Sequence, residues 1–398
     1  MDRTRTYEAV LREHFAENRQ MAFLSGPRQV GKTWVCRSIG DAYFNWDNTD
    51  DRRTLLRGPA ALAETLGLDR LRAKPPIVIL DEIHKYAKWK SLLKGLFDTY
   101  GERAHLLVTG SSRLDVFRRG GDSLMGRYLL YRMNPFSVGE CIRTKLPQKE
   151  IHSPGAISAA DWDALWEHGG FPEPFLRRNA RFTRRWRSLR LAQLSREDMR
   201  EVTSVRDLGV IETLMQILAE RSGQQLVYAN LSGDVQASVD TIRRWVDLLA
   251  RMNYGFLVRP WFANVSKSLR KEPKWFLRDW SGIADRGCRA ETFAACHLLK
   301  AVEMWTDLGF GAFELRYLRD KLKREVDFVV IRDRKPWFLV EVKAGDAALS
   351  PALAHFQRQT KAEHAFQAVI DLPYEAADCF KRREPTIVPA RTLFSQLP

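Results

Sequence analysis

The sequence predicts an α/β fold for the first third of the chain, with a doubly wound parallel sheet. Two observations lead to this prediction. Apolar runs typical of buried strands, at residues 21–24, 42–45, 77–80 and 106–108, alternate with segments of helical spacing. Polar residues suited to phosphate chemistry follow three of these runs. Alternating strands and helices form right-handed crossovers, and ligands bind beyond the carboxyl ends of such strands.

Length and composition indicate more than one domain. The chain has 398 residues and a mass of 46.0 kDa, which exceeds what one hydrophobic core usually supports. We predict three domains, at residues 1–155, 156–282 and 283–398. The 64 Lys and Arg residues against 49 Asp and Glu residues leave a formal charge of +15, which permits phosphate binding without requiring it.

Several classes of protein are disfavoured by simple patterns. The longest apolar runs have four or five residues, far below the roughly 20 that span a bilayer, so we expect no membrane partner. The N-terminal segment lacks the apolar stretch of a secretion signal, which favours the cytoplasm. The five cysteines are odd in number and include no C-x-x-C, which argues against a disulfide framework and a structural zinc.

The segment GPRQVGKT, residues 26–33, matches the P-loop pattern and predicts ATP as a ligand. Its glycines allow a tight turn, so that backbone N–H groups face phosphates at the start of a helix. Lys32 would reach the β- and γ-phosphates, and the Thr33 hydroxyl would hold Mg²⁺. The predicted nucleotide contacts are Gly26, Pro27, Arg28, Gln29, Val30, Gly31, Lys32 and Thr33.

Two carboxylates follow the predicted strand at residues 77–80. We expect Asp81 to hold the Mg²⁺ water shell and Glu82 to polarise the attacking water as the catalytic base. An acidic pair in this position is also common at helix N-termini, but the P-loop about 50 residues earlier favours an ATPase. Polar residues 109–112 follow the next strand. Among them we favour Ser111 as a residue that orients water or senses the γ-phosphate, the alternative being a capped turn.

Five segments together resemble a known family. In order they are GPRQVGKT, VILDEIHKY, LLVTGSSR, MGRYLLYRMNPFSVGE and HGGFPEPFL. They resemble bacterial and archaeal AAA-type (AAA+) ATPases with a C-terminal domain of unknown function and a restriction-endonuclease-like end. The resemblance covers essentially the whole chain and is strongest over residues 21–176. It implies an AAA+ ATPase core and leaves the substrate open.

Two arginines match positions typical of that family. Arg28 lies inside the P-loop and Arg127 lies in SLMGRYLLYRM. The resemblance implies that Arg28 or Arg127 completes the site, Arg127 as an arginine finger that stabilises the transferring phosphoryl group from a neighbouring subunit. Such a finger requires homo-oligomers. The alternative is that Arg127 is a surface arginine.

The segment after residue 176 is rich in arginine, with seven between Arg177 and Arg190. Phe182, Trp186 and Leu189 fall at i, i+4 and i+7, so we expect them to pack inward while the arginines occupy the other face of a helix. That face is either a solvated basic surface or a surface that contacts nucleic-acid phosphates. Arg184 and Arg185 are the predicted contacts.

A winged helix is predicted next. Apolar spacing indicates helices at residues 208–223, 231–235 and 239–252, followed by strands at 256–258 and 275–277. This order is used by DNA-reading modules, which would place Arg243, Arg244 and Arg251 on the third helix as DNA contacts. Winged helices also serve as packing modules or protein-binding lids.

The C-terminal region carries an acidic pattern on two predicted strands. Asp327 opens one strand, and Glu341 and Lys343 alternate on the next, so their side chains share a face. The two carboxylates could share one Mg²⁺, with Lys343 positioning water. The pattern resembles the D…E-x-K nuclease core of restriction endonucleases, with Glu291 on the preceding helix as an additional acid. A hairpin with charged residues on its open face would look similar, and a nuclease-like fold does not by itself imply cleavage activity.

These observations predict a Mg²⁺-dependent AAA-type ATPase that acts on DNA, duplex or branched, with a nuclease-like C-terminal domain. Two alternatives remain. The chain is an ATP-dependent switch that controls a protein partner without nucleic acid, or a metal-dependent nuclease that ATP regulates. In the last case, loss of Asp327 should abolish cleavage and spare ATP hydrolysis.

Overall fold

The chain folds into two compact units. A computed structural model describes residues 3–70, 72–110, 124–195, 208–262, 272–345 and 348–398. The first unit comprises Met1–Asn134 with Thr144–Leu146, and the second comprises Pro135–Arg143 with Pro147–Pro398. The nucleotide motifs all belong to the first unit, and the arginine-rich and C-terminal acidic segments belong to the second.

The first unit is built on a parallel sheet of five strands, as predicted. Its strand order is β2-β3-β4-β1-β5, and every neighbouring pair is parallel. Since the strands are parallel, their carboxyl ends lie at one edge of the sheet. The strands are β1 (Met21–Ser25), β2 (Ala42–Asn45), β3 (Ile77–Asp81), β4 (His105–Thr109) and β5 (Tyr128–Arg132).

Burial explains why three of the four predicted strands, β1, β3 and β4, are visible in the sequence. Strand β1 is buried at all five positions, and β3 and β4 at four of five, so they appear as continuous apolar runs. Strand β5 was not predicted. It lies at the sheet edge, is largely half-exposed and is flanked by arginines, so it lacks this pattern. The helices of the unit are Thr6–Glu17, Lys32–Ile39, Thr49–Leu56, Pro59–Leu66 and Trp89–Tyr100, with a 3-10 helix at Ile83–Lys85.

The second unit is built on a mixed sheet of seven strands, in the order β12-β11-β10-β9-β8-β6-β7. Strand β9 is antiparallel to both of its neighbours, β8 and β10, whereas β11 runs parallel to β10 and β12 parallel to β11. The strands are β6 (Gly255–Pro260), β7 (Lys274–Leu277), β8 (Phe313–Arg319), β9 (Glu325–Arg332), β10 (Lys335–Lys343), β11 (His364–Val369) and β12 (Thr386–Pro389).

Helices surround this second sheet. They are Val138–Ile142, Ala159–His168, Pro172–Arg177, Ala180–Gln193, Leu208–Glu220, Tyr228–Val235, Val239–Arg251, Arg286–Asp307, Pro351–Thr360 and Ala390–Ser395, with a 3-10 helix at Cys379–Lys381. Among the described residues, no helix combines the length and the apolar character needed to cross a bilayer.

The sheet joins two regions for which we predict separate domains. Strands β6 and β7 are antiparallel, as expected for the ribbon of a winged helix, and three helices precede them. However, β6 also pairs in parallel with β8, through Arg259–Arg316 and Pro260–Tyr317. The predicted boundary between residues 282 and 283 therefore falls inside the second unit.

The helix Ala180–Gln193 buries a different face from the one predicted. Trp186 is buried as expected, but Leu189 is 55% exposed, and Arg190 is buried in its place. Arg190 stacks its guanidinium 4.2 Å from the centre of the Phe171 ring and donates to the Asn253 carbonyl oxygen at 3.4 Å. Aromatic and carbonyl partners make the buried arginine tolerable, since the Phe171 ring stabilises its charge and the Asn253 carbonyl accepts one of its N–H groups.

Buried polar contacts explain why residues 135–143 belong to the second unit. Lys300, on the helix Arg286–Asp307, forms a fully buried ion pair with Glu140 and donates to the Pro135 carbonyl oxygen at 3.1 Å. His297, one turn earlier, accepts from the Val138 N–H at 3.1 Å, so its Nδ1 donates to the Phe293 carbonyl at 2.8 Å. Burial lowers the pKa of His297 to about 3, which keeps its ring neutral.

The Lys300→Met substitution should destabilise the second unit by about 3–5 kcal/mol, because it leaves the Glu140 carboxylate buried without its cation. The measurement is urea unfolding followed by tryptophan fluorescence. Combining Lys300→Met with Glu140→Leu should recover much of the loss, since it removes the unpaired charge.

The exposed Lys335 provides the matched control, because Lys335→Met removes a lysine that is not the partner of a buried carboxylate. An unchanged urea midpoint in Lys300→Met would show that the ion pair does not hold residues 135–143 in this unit.

Candidate functional site

The P-loop turns directly out of β1 and runs into the helix Lys32–Ile39. Gly26 has φ +150°, and a Cβ at this position would collide with the Met133 carbonyl oxygen. Gly31 has φ +99° and forms the N-cap of the helix. Both positions therefore require glycine. The loop leaves the first N–H groups of the helix available for an anion at the carboxyl edge of the sheet.

Lys32 lies inside the loop. Its side chain is only 8% exposed, and its ammonium donates to the carbonyl oxygens of Gly26 at 2.9 Å and Pro27 at 2.8 Å. Burial lowers the pKa of Lys32 to about 8, against the opposing effect of the Glu82 and Asp81 carboxylates. The ammonium is thus held by loop carbonyls, and within the part of the chain that the structure describes it forms no ion pair.

Three hydroxyl groups converge on Asp81 at the end of β3. Thr33 Oγ1 donates to Oδ2 at 3.0 Å, the Tyr43 hydroxyl donates to the same oxygen at 2.6 Å, and Thr109 Oγ1 donates to Oδ1 at 3.1 Å. Thr109 is the strand partner of Asp81 in the β3–β4 register. Neither Tyr43 nor Thr109 was predicted to contact Asp81, although Thr109 stands at the end of a predicted strand.

The Thr33 hydroxyl and the Asp81 carboxylate have the chemistry that Mg²⁺ requires. Magnesium prefers oxygen ligands and is held in proteins by few side chains together with substrate phosphates. The two groups lie within hydrogen-bonding distance of each other, next to the phosphate-binding turn. All three donors to Asp81 are neutral, so no cation among the described residues neutralises its charge through a direct bond. The residues therefore fit the metal predicted from the sequence.

Glu82 adopts a left-handed backbone conformation with φ +56°, and its N–H donates to the Thr109 carbonyl oxygen at 3.0 Å. Its Oε2 lies 3.6 Å from His84 Nε2 and 3.6 Å from Lys85 Nζ. That oxygen is buried and accepts no hydrogen bond from the described residues. Burial raises the pKa of Glu82, opposed by the Lys85 ammonium. The carboxylate is thus placed and electrostatically tuned to accept a proton.

The remaining predicted residues of this site are placed differently. Arg28 is close enough to Lys32 and Glu82 to lower the pKa of both. Arg127 precedes β5, at the amino edge of the sheet, about 13 Å or more from the P-loop across the five residues of β1. Arg127 also makes a two-pronged ion pair with Asp98, at 2.7 and 3.1 Å. It does not contribute to the phosphate site of its own chain. Ser111 lies outside the described residues.

The five arginines predicted to contact nucleic acid are all exposed on helices of the second unit. Arg184 and Arg185 lie on Ala180–Gln193, and Arg243, Arg244 and Arg251 lie on Val239–Arg251. None of their guanidinium groups forms an ion pair within the described part of the chain. Their positive charge is therefore not neutralised by carboxylates there.

The C-terminal acidic residues gather around a lysine that was not predicted. Lys274, the first residue of β7, is 3% exposed. Its Nζ lies 2.5 Å from Glu325 Oε1, 3.5 Å from Asp327 Oδ1 and 3.9 Å from Glu291 Oε2. Burial alone would lower the pKa of Lys274, but the three carboxylates raise it above its ordinary value. The ammonium is therefore charged.

Glu341 completes this acidic group from β10. Its Oε1 accepts from Lys343 Nζ at 2.8 Å, which confirms that the two side chains share a face. Asp327 Oδ2 accepts from the Val342 N–H at 2.9 Å. Among the described residues, no set of three or more His, Cys, Asp or Glu side chains is arranged to hold a metal ion. The Mg²⁺ predicted for Glu291, Asp327 and Glu341 does not fit these side chains.

Comparisons with known protein families match three consecutive regions of the chain. Residues 18–142 match the model of an AAA domain, residues 159–285 match a domain of unknown function (DUF8612), and residues 286–391 match a domain of unknown function (DUF4143). The AAA match together with the DUF4143 match supports an AAA-type ATPase.

Two mycobacterial proteins are similar to this chain, and both match it with the same sequence identity and coverage. They are the uncharacterized protein Rv2008c of Mycobacterium tuberculosis and the uncharacterized protein Mb2031c of Mycobacterium bovis. Each is 26% identical over 270 residues, which cover 67% of this chain and 55% of the relative. The match thus extends over about half the length of these relatives.

The Thr109→Val substitution should raise the Mg²⁺ concentration needed for half-maximal ATP hydrolysis by about tenfold. It removes one hydrogen bond that orients Asp81, and residues that orient metal ligands typically contribute effects of this size. The measurement is steady-state ATP hydrolysis at saturating ATP across a Mg²⁺ titration.

Thr65→Val is the matched control, because the Thr65 hydroxyl donates to the Ala61 carbonyl within a helix of the same unit. If Thr109→Val and Thr65→Val have the same Mg²⁺ requirement as the unmodified chain, the Thr109 hydroxyl does not orient the metal-binding carboxylate.

Proposed function

We propose that the chain is a Mg²⁺-dependent ATPase whose work is directed at DNA. The hydrogen bond between Thr33 and Asp81 beside the P-loop, with Glu82 next to Asp81 in the chain, carries the first half of this proposal. It brings a metal-binding hydroxyl, a metal-binding carboxylate and a base together at the one edge of the sheet where a parallel α/β fold binds ligands.

Each residue has a distinct role in hydrolysis. Backbone N–H groups of the P-loop and the Lys32 ammonium bind the phosphates, the latter by exchanging its loop carbonyl partners for phosphate oxygens. Thr33 and Asp81 would hold Mg²⁺, which when bound would supply charge neutralisation at the phosphates. Glu82 accepts a proton from the water that attacks the γ-phosphorus, and burial makes its carboxylate a stronger base for this step.

Arg127 is proposed to act only between subunits. Because it lies at the amino edge of its own sheet, it can reach a phosphate only on a neighbouring chain, and it must then release Asp98. An arginine finger used in this way requires a homo-oligomer. The ion pair with Asp98 would keep the guanidinium oriented until the neighbouring chain binds.

The exposed arginines of the second unit support DNA as the target. Five guanidinium groups on two helices carry charge that no described carboxylate pairs with. Such groups bind phosphates independently of sequence, and the counterions released from DNA drive the association. Nucleotide state in the first unit would then control this binding.

The order of elements in the C-terminal region supports a nuclease-like fold. The helix Arg286–Asp307 is followed by the antiparallel strands β8, β9 and β10, the helix Pro351–Thr360 and the parallel strand β11. Asp327 lies on the second of these strands and Glu341 on the third, in the positions of the D…E-x-K pattern. We propose that this region is nuclease-like in fold.

The Lys32→Ala and Glu82→Gln substitutions should both abolish ATP turnover, but for different reasons. Lys32→Ala removes a phosphate ligand and should weaken ATP binding, whereas Glu82→Gln should retain binding because it removes only the base. The measurements are steady-state phosphate release and ATP affinity from a fluorescent analogue.

Lys94→Ala, which replaces an exposed lysine of the same unit, is the control for general effects of charge on ATP hydrolysis. Unchanged phosphate release in both Lys32→Ala and Glu82→Gln would rule out this site as the ATPase centre.

Replacing Arg243, Arg244 and Arg251 with alanine should weaken binding to duplex DNA and reduce its salt dependence. The slope of log affinity against log salt should fall by about one for each arginine that contacts a phosphate. The measurement is fluorescence anisotropy of labelled duplex and branched DNA across a salt titration, together with ATP hydrolysis in the presence of the same DNA.

The control replaces three other exposed cations of the same unit, Arg334, Lys335 and Lys361, and should leave the slope unchanged. If the unmodified chain binds no DNA at low salt and its hydrolysis responds to no DNA form, the ATPase stands and a protein partner is its target instead.

A further inference from the structure

The acidic cluster of the second unit is built around a buried ammonium group. It consists of Glu291, Glu325, Asp327 and Glu341 with Lys274, and it stands where the D…E-x-K pattern of the sequence predicts a divalent metal. Three of its four carboxylates lie within 3.9 Å of Lys274 Nζ. All five residues belong to the second unit, whereas the P-loop and the Asp81–Glu82 pair belong to the first.

We propose that Lys274 is the resident cation of this cluster and takes the place of a divalent metal ion. The first reason is geometric. A divalent ion needs several oxygen ligands that converge on one point. In this cluster, the point on which Glu291, Glu325 and Asp327 converge is occupied by the Lys274 ammonium, and Glu325 makes the shortest contact, at 2.5 Å.

The second reason is that three of the four carboxylate oxygens of Asp327 and Glu341 already accept hydrogen bonds. Asp327 presents one oxygen to Lys274 and the other to the Val342 N–H. Glu341 presents Oε1 to Lys343, so that only its buried Oε2 accepts no hydrogen bond from the described residues. The Asp327 and Glu341 pair, which carries the D…E-x-K pattern, is thus left with one carboxylate oxygen that accepts no hydrogen bond from the described residues. One oxygen is too few to hold a divalent ion between the Lys274 and Lys343 ammonium groups, which would also repel it.

The third reason is the position of Lys274 in the fold. It begins β7, whereas the carboxylates come from the helix Arg286–Asp307 and from β9 and β10. The ammonium, which is covalently part of β7, therefore links the β6–β7 pair to the helix and strands that carry the carboxylates. A diffusible metal ion bound by those carboxylates alone would not make this link. A buried lysine with three carboxylate partners is retained in the fold because removing it leaves uncompensated negative charge.

The functional consequence is that this nuclease-like domain does not use a metal at the D…E-x-K position. Its carboxylates serve to hold Lys274 and the sheet, and the domain binds its target without the metal that activates water for phosphodiester cleavage. The cluster should therefore become a cation site only when the ammonium is taken away.

The test counts Mn²⁺ ions bound by the nucleotide-free full chain, using the electron paramagnetic resonance signal of free Mn²⁺. The Lys274→Met variant keeps the length of the side chain and removes its charge, so it should bind one more Mn²⁺ per chain than the unmodified protein. That extra ion should disappear when Asp327→Asn is added, since the P-loop is identical in both variants. Lys274→Arg, which keeps the cation, should bind no extra ion.

A second comparison does not require Lys274→Met to fold. In the otherwise unmodified chain, Glu341→Gln and Asp327→Asn should leave the number of bound Mn²⁺ ions unchanged. Loss of one ion in either variant would show that metal and ammonium coexist and would overturn the proposal. A folded Lys274→Met chain that gains no ion would overturn it equally, because the cluster would then not need a cation at that point.

Discussion

The phosphate site depends on the hydrogen bonds that hold Asp81. Its two carboxylate oxygens accept from hydroxyl groups on three different elements: Thr33 on the helix after the P-loop, Tyr43 on β2 and Thr109 on β4. These contacts are possible because β2, β3 and β4 are parallel and in register, so that residues near their carboxyl ends meet. The register of the sheet, set by buried apolar strands, thereby fixes the position of the carboxylate relative to the P-loop.

The sequence was a good guide to this unit because its information is local. Buried parallel strands appear as apolar runs, and the P-loop is one contiguous segment whose glycines have positive φ angles that no other residue adopts easily. Tyr43 and Thr109 were not recognised as partners of Asp81, because their roles follow from pairing between strands that are distant in sequence. The AAA match over residues 18–142 supports an ATPase activity in general, whereas the individual catalytic roles remain predictions.

The second unit was harder to predict, because its organisation depends on long-range pairing. The helix and strand positions between residues 208 and 277 follow from apolar spacing, but the pairing of β6 with β8 does not. Similarly, periodicity favoured Leu189 as a core residue, whereas the fold buries Arg190 against Phe171. An aromatic ring contributed from elsewhere in the chain reversed a choice that local hydrophobicity would have made. Lys274 was missed for the same reason, since its carboxylate partners lie 17 or more residues away.

The two acidic sites show how the same side chains are prepared for different tasks. Among the described residues, Asp81 is held by neutral hydroxyl donors alone, and the nearby Lys32 ammonium donates to backbone carbonyls instead. The negative charge of Asp81 therefore stays available for a cation. Asp327 is held by a backbone N–H and by the Lys274 ammonium, so its charge is already balanced. Hydroxyl donors orient a carboxylate without neutralising it, whereas an ammonium does both. The identity of the donor, more than the presence of the acid, therefore separates a carboxylate suited to metal binding from one that stabilises the fold.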